Sequence, residues 1–148
     1  MLMPDVNVLI YSHRSNELHH AFYRSWMEQM ADGNEPFGLS SLVAVAFARI
    51  VTNSRYAQPP TPLVQALAEI DGLSASPRCR LLVPGPRHWE LTAELCRKTG
   101  ATGKLVGDAQ HAAVALEHGC TWVTRDRDFR SFERAGLRLK LLEPDRGE

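Results

Sequence analysis

At 148 residues, 44% apolar and 23% charged, the chain suits one globular domain with a sizeable core, expected to occupy residues 1–148. Its seventeen basic residues balance seventeen acidic ones, which excludes a global electrostatic pull toward nucleic acid. No apolar run approaches the roughly 20 residues that span a bilayer, and no basic stretch precedes the first one, so neither a membrane anchor nor a secretory leader is expected.

Residues 2–11 read as a buried strand, with Pro4 near its beginning and Leu2, Val6, Val8 and Ile10 as its apolar members. Asn16 is placed to cap a helix reaching about Ala31, with Leu18, Phe22, Trp26 and Met30 on one apolar face and Asp32-Gly33-Asn34 ending it. A second helix runs from Ser40-Ser41 through Val43, Phe47 and Ile50 to about Thr52. After the rigid Gln58–Pro62 connector, Thr61 as N-cap and Pro62 at the first position launch a helix to about Leu73. Cys79 to Pro84 reads as a short strand, and Arg87 to Lys98 as a helix closed by Gly100.

A helix from Asp108 to His118 ends at Gly119, followed by a strand from Cys120 to Thr124. A helical turn near Phe129–Arg134 and a last, edge strand over Leu137–Leu142 complete the chain. Strands separated by helices predict an α/β fold, a mostly parallel sheet covered on both faces, with sites beyond the carboxyl ends of its strands. The three cysteines, Cys79, Cys96 and Cys120, are odd in number and lack CxxC spacing. They read as buried, reduced thiols in a cytoplasmic protein, not as a disulfide framework or a zinc site.

Four carboxylates carry the chemical signal. Asp is unfavourable inside a strand, so Asp5 asks for a reason: an Asx turn capping its own backbone, or a ligand role shared with Asn7, which alternation puts on the same side. Asp108 stands where an N-cap belongs; it could also bind a ligand only if one oxygen stays free. Asp126 and Asp128, at i, i+2 after a strand and flanked by Arg125 and Arg127, suit a solvated turn when taken alone. Thr124 adds a hydroxyl. If the fold gathers these acids, their mutual repulsion calls for a hard divalent cation with oxygen ligands, magnesium or manganese. His111, His118, Glu90 and Glu94 read as helix-surface residues, and His19-His20 as a solvated or half-buried pair.

Four blocks, in order, resemble the PIN-domain ribonucleases, specifically the VapC toxins of VapBC toxin–antitoxin pairs. They are Asp5-Val6-Asn7-Val8-Leu9-Ile10-Tyr11, Phe47 to Arg55, Asp108 to Ala115, and Thr124-Arg125-Asp126-Arg127-Asp128-Phe129. The resemblance implies a five-stranded parallel sheet with helices on both faces and an acidic site that binds Mg2+ or Mn2+ and cuts single-stranded or loop RNA. It makes Asp5 and Asp108 the principal metal ligands and Asp126 a further ligand. Asp128 joins these three as a catalytic carboxylate, with Asn7 and Thr124 supporting them. Arg125, Arg127 and Arg130, the cations nearest the acidic mouth in sequence, are expected to grip substrate. It also implies a VapB-type antitoxin partner and a homodimer. One departure stands out. Many PIN nucleases carry a Glu in the second helix, whereas Leu42-Val43-Ala44-Val45-Ala46-Phe47 holds no acid. That leaves two outcomes open, a site that holds one metal firmly and a second only with substrate, or a weakly active one. The alternative to the enzyme is a PIN-fold protein-binding module.

Overall fold

The computed structural model describes residues 1–144. Five short strands form one sheet: β1 (Leu2–Pro4), β2 (Phe37–Ser40), β3 (Cys79–Leu82), β4 (Thr121–Thr124) and β5 (Arg138–Leu141). Their spatial order is β3-β2-β1-β4-β5 and every pairing is parallel. The helices are α1 (Val6–His13), α2 (His20–Ala31), α3 (Ser41–Val51), α4 (Leu63–Ser74), α5 (His88–Thr99), α6 (Lys104–Glu117) and α7 (Arg130–Glu133), with a 3-10 turn at Arg127–Phe129 before α7. Helices α1–α4 pack with one another and α5–α7 with one another, which in this strand order is the two-faced arrangement that the usual right-handed crossovers give. The α/β class, the five parallel strands and the two-sided cover agree with expectation.

The first segment differs from its sequence reading. Strand β1 stops at Pro4, and the run from Val6 to His13 is a helix. Asp5 turns the chain: its backbone N–H still donates to Val123 O at 2.7 Å, while its Oδ1 accepts from Val6 N at 2.6 Å as an N-cap. Burial of Val8, Leu9 and Ser12 follows helical spacing, and a short apolar run fits either period. Strand β2 was not anticipated at all. Its four residues are wholly buried between β1 and β3, so no alternation marks them.

Three helix starts also move. Helix α2 begins at His20, and Asn16 instead donates from Nδ2 to Gln58 O at 3.0 Å. Its core contacts are Tyr23 and Met27, with Phe22, Trp26 and Met30 half-buried and Leu18 68% exposed. Helix α4 begins at Leu63, because the Thr61 hydroxyl is engaged by the buried Arg14 guanidinium at 3.1 Å. Helix α6 begins at Lys104, one turn before the expected start. Its small residues Ala109, Ala112, Ala113 and Ala115 are fully buried, which lets the helix approach the sheet closely.

The core is led by Trp122, Tyr23, Phe37, Phe47, Phe129 and Phe132. His111 is another correction: it is no surface residue but half-buried, its ring stacked on Trp122 at 5.6 Å between centroids. Glu90, Glu94 and His118 are exposed as expected. No helix among the described residues is long and apolar enough to cross a membrane.

Candidate metal centre

The chain leaves β1 toward β2 and leaves β4 toward β5, in opposite directions from two adjacent strands. A crevice opens between such strands at their carboxyl ends. Asp5 directly follows β1, and Asp126 lies two residues past β4. Helix α6 points its first turns at the same rim, which brings Asp108, in the second turn, to the other two.

On the buried side the groups are tied tightly. Asp5 is 5% exposed. Thr124 Oγ1 donates to Asp5 Oδ2 at 2.7 Å and accepts from Asn7 Nδ2 at 3.1 Å and from Asp126 N at 3.0 Å. Asn7 Nδ2 also reaches Asp5 Oδ2 at 3.3 Å, and Asn7 Oδ1 accepts from Arg125 N at 3.4 Å. Asp5 and Asn7 thus meet as expected, although by a capping turn and not by strand alternation. With three of a carboxylate's about four acceptor directions used, Asp5 keeps one for a ligand. Burial, reinforced by Asp108 and Asp126, pushes its pKa from 3.8 to about 6, against the hydrogen bonds from Thr124 and Val6.

On the open side, oxygens of Asp108, Asp126 and Asp128 all lie within 4.8 Å of one another. This is the compact trio among the described residues, and Asp5 sits beside it, not within it. Magnesium–oxygen bonds of about 2.1 Å hold two ligand oxygens at most about 4.2 Å apart. A small inward movement of these carboxylates therefore lets one ion take them all, and hard carboxylate oxygens are the donors it prefers. The residues present therefore fit a divalent cation. Asp126 Oδ1 also accepts from Asp128 N at 2.9 Å, which leaves Oδ2 to face the centre.

Sequence reasoning missed Lys104. Its Nζ contacts Asp108 Oδ2 at 2.8 Å, Asp126 Oδ2 at 2.9 Å and Asp128 Oδ2 at 3.4 Å. Lys at i−4 from Asp108 was the only signal, and it holds only if the helix starts a turn early. The Lys104 pKa is raised by the hydrogen bond to Asp108 and by Asp126. Asp108 stays above its ordinary value because burial outweighs Lys104. For Asp126 burial acts upward too, but Lys104 and the Asp128 N–H carry it below the ordinary value.

The arginines expected to grip substrate are differently occupied. Arg125 lies over the Tyr11 ring, 4.2 Å from its centroid, and Arg127 forms a two-pronged pair with Glu143 at 3.0 Å. Only Arg130 of the three has neither carboxylate nor ring against it among the described residues. Helix α3, which carries Leu42 to Phe47, brings no acid to the rim.

A family model for the PIN domain matches residues 2–135. Ribonuclease VapC43 of Mycobacterium tuberculosis is 42% identical over 141 residues, 95% of this chain and 96% of that protein. Ribonuclease VapC25 of the same organism is 38% identical over 132 residues, covering 89% and 93%. Among solved structures, M. tuberculosis VapC20, described as a sarcin-ricin loop cleaving toxin, aligns with a TM-score of 0.65 at 18% identity over 97% of this chain and all of that one. VapBC2 of Rickettsia felis, bound to a fragment of promoter DNA, gives a TM-score of 0.65 at 19% identity, with 94% and 96% covered. At such identities these structures share the fold.

Proposed function

This chain belongs to the PIN-domain family, and from that premise we propose that it is a metal-dependent endoribonuclease, the toxin of a VapBC-type pair, cleaving single-stranded or loop RNA. The observation that carries the reading is the trio of Asp108, Asp126 and Asp128 beside buried Asp5, at the switch point of the sheet, in a chain so similar to named ribonucleases. The PIN domain is taken to comprise residues 1–148, and the cytoplasm to be where it acts.

Asp108 and Asp126, with Asp5 from the buried side, would hold Mg2+ or Mn2+. Bound there, the ion supplies a water of lowered pKa and neutralises charge building on the scissile phosphate. The chain's own groups prepare that place. Thr124 and Asn7 fix the Asp5 carboxylate, so little reorganisation is left when a ligand arrives. Asp128, 63% exposed, reaches the open side where substrate enters. Of the three arginines expected to grip substrate, Arg130 is the one without a carboxylate or ring partner among the described residues, and binding through it would weaken with salt. An exposed rim that must reach a backbone phosphate favours unpaired RNA over a duplex. The partners proposed are RNA, a VapB-type antitoxin and a second copy of the chain in a homodimer.

The test is RNA cleavage by purified protein with and without Mg2+ or Mn2+. Cleavage that needs the cation and is lost in Asp108→Asn supports the reading. Full metal-dependent cleavage by Asp5→Asn or Asp108→Asn refutes it. Failure to bind either metal at millimolar concentration in calorimetry would favour the protein-binding module.

A further inference from the structure

Lys104 opens α6, one helical turn before Asp108. One ammonium therefore touches all three members of the compact trio, at 2.8, 2.9 and 3.4 Å. Two of these acids, Asp108 and Asp126, are the ones proposed to hold the divalent cation, so on both the ammonium occupies the ion's place. The two cannot share it, because the carboxylate lone pairs aimed at Nζ are those an ion would take and the two positive charges repel.

We infer that Lys104 is a displaceable counter-ion of this centre, so that a divalent cation binds by exchange against its ammonium and not by simple addition. The inference rests on the metal-dependent reading of the same trio. Local helix physics explains little of the lysine: its i, i+4 pair with Asp108 has the weaker order, cation before acid, and a cation in the first turn of α6 opposes the helix dipole. The acids compensate for that placement. Without a resident cation, three carboxylates would face one another uncompensated in the metal-free chain.

Mobility is divided in the way exchange requires. The Lys104 side chain is 64% exposed, whereas Asp108 and Asp126 are 14% and 29% exposed. The ammonium can swing into water without unpacking anything, while the two less exposed acids stay in place. Residue type fits as well. In a chain with fourteen Arg and three Lys, a lysine stands here. A point charge on a flexible stem releases carboxylates more readily than the planar fork of Arg, which would bind them in pairs. Once displaced, the ammonium stays tethered at the rim, facing the phosphate of an incoming RNA.

Calorimetric titration of Mn2+ into the metal-free wild-type protein, Lys104→Met and Lys104→Arg tests this. Lys104→Met should bind Mn2+ roughly tenfold tighter at low ionic strength, the scale of a small network of exposed ion pairs, with the gap narrowing as salt rises. Lys104→Arg should bind no tighter than wild type. Equal or weaker binding by Lys104→Met overturns the inference while leaving the metal site standing. Loss of Mn2+ binding in both wild type and Lys104→Met removes the metal-dependent reading and the inference together. Should Lys104→Met fail to fold without metal, a crystal of the wild-type protein soaked in Mn2+ decides. Nζ withdrawn from Asp126 supports exchange, and Nζ still within hydrogen-bond reach of Asp126 beside a bound ion overturns it.

Discussion

The Thr124 hydroxyl donates to Asp5 Oδ2 at 2.7 Å, a bond between residues 119 positions apart. The same oxygen accepts from Asn7 and from the Asp126 backbone, so its donor and both acceptor directions are used. Thr124→Val keeps the shape and deletes all three bonds. It should cost about 1–3 kcal/mol of stability, because Asp5 and the Asp126 N–H lose a buried partner. RNA cleavage should fall on the order of tenfold or more as Asp5 loses its fixed orientation. Thr124→Ser should restore most of both. Urea denaturation and cleavage assays on the two variants provide the check.

Asp5 makes metal-free stability depend on pH. Its folded pKa, about 6, lies above the ordinary 3.8. Its contribution is therefore fully present below 3.8 and is lost as pH rises through 6. Metal-free Asp5→Asn should then be more stable than wild type at pH 7.5 by up to about 3 kcal/mol, with the gap closing toward pH 4. A stability gap that does not depend on pH would contradict this. The same variant should lose metal-dependent cleavage, which separates its stability from its activity.

His111 acts in the opposite sense over nearly the same range. Burial takes its pKa from 6.5 down to about 4, with His88 adding to the effect. Its Nδ1 finds no hydrogen-bond partner among the described residues. The neutral ring contributes stability that is present above 6.5 and is lost as pH falls through 4. His111→Phe keeps a ring against Trp122 and removes the titration, so its stability relative to wild type should increase steadily from pH 7 to pH 4. Denaturation midpoints at four or five pH values measure it.

The acids of the rim should not be equal. Asp108→Asn and Asp126→Asn keep size and, at Asp126, the oxygen that accepts from Asp128 N. Each should lower cleavage on the order of a hundredfold or more, since each would remove charge where the metal and phosphate are proposed to meet. Asp128 is 63% exposed and sits farthest from Lys104 of the three. Asp128→Asn should cost about tenfold or less. Single-turnover cleavage at saturating Mn2+ ranks them, and chelation with EDTA should silence the wild type.

Ordered blocks of acids after hydrophobic runs made the site readable, because strand ends and helix starts announce themselves locally. Asp126 and Asp128 follow a compact strand, and Asp108 sits near a helix start, so their convergence needed only the parallel topology. What escaped depended on distant partners. The boundary between β1 and α1 was hidden by an apolar run that satisfies both periods. Strand β2 was hidden because burial on both faces erases alternation. Lys104 was hidden because its three partners come from two segments, and only packing shows that one ammonium can reach them all. The half-buried state of His111 likewise follows from Trp122, eleven residues on and in another element.

The pairing of β1 with β4 has a temporal consequence. The segment carrying Asp5 is made well before the strand ending at Thr124, and must wait for it before its half of the rim is complete. Closing so long a loop comes late in folding, after local helices have formed. A polypeptide that has not yet reached β4 thus carries Asp5 without its anchor and without Asp126. Any hazard such a protein poses to its maker begins only after the segment through Asp126 has been made and has paired with β1.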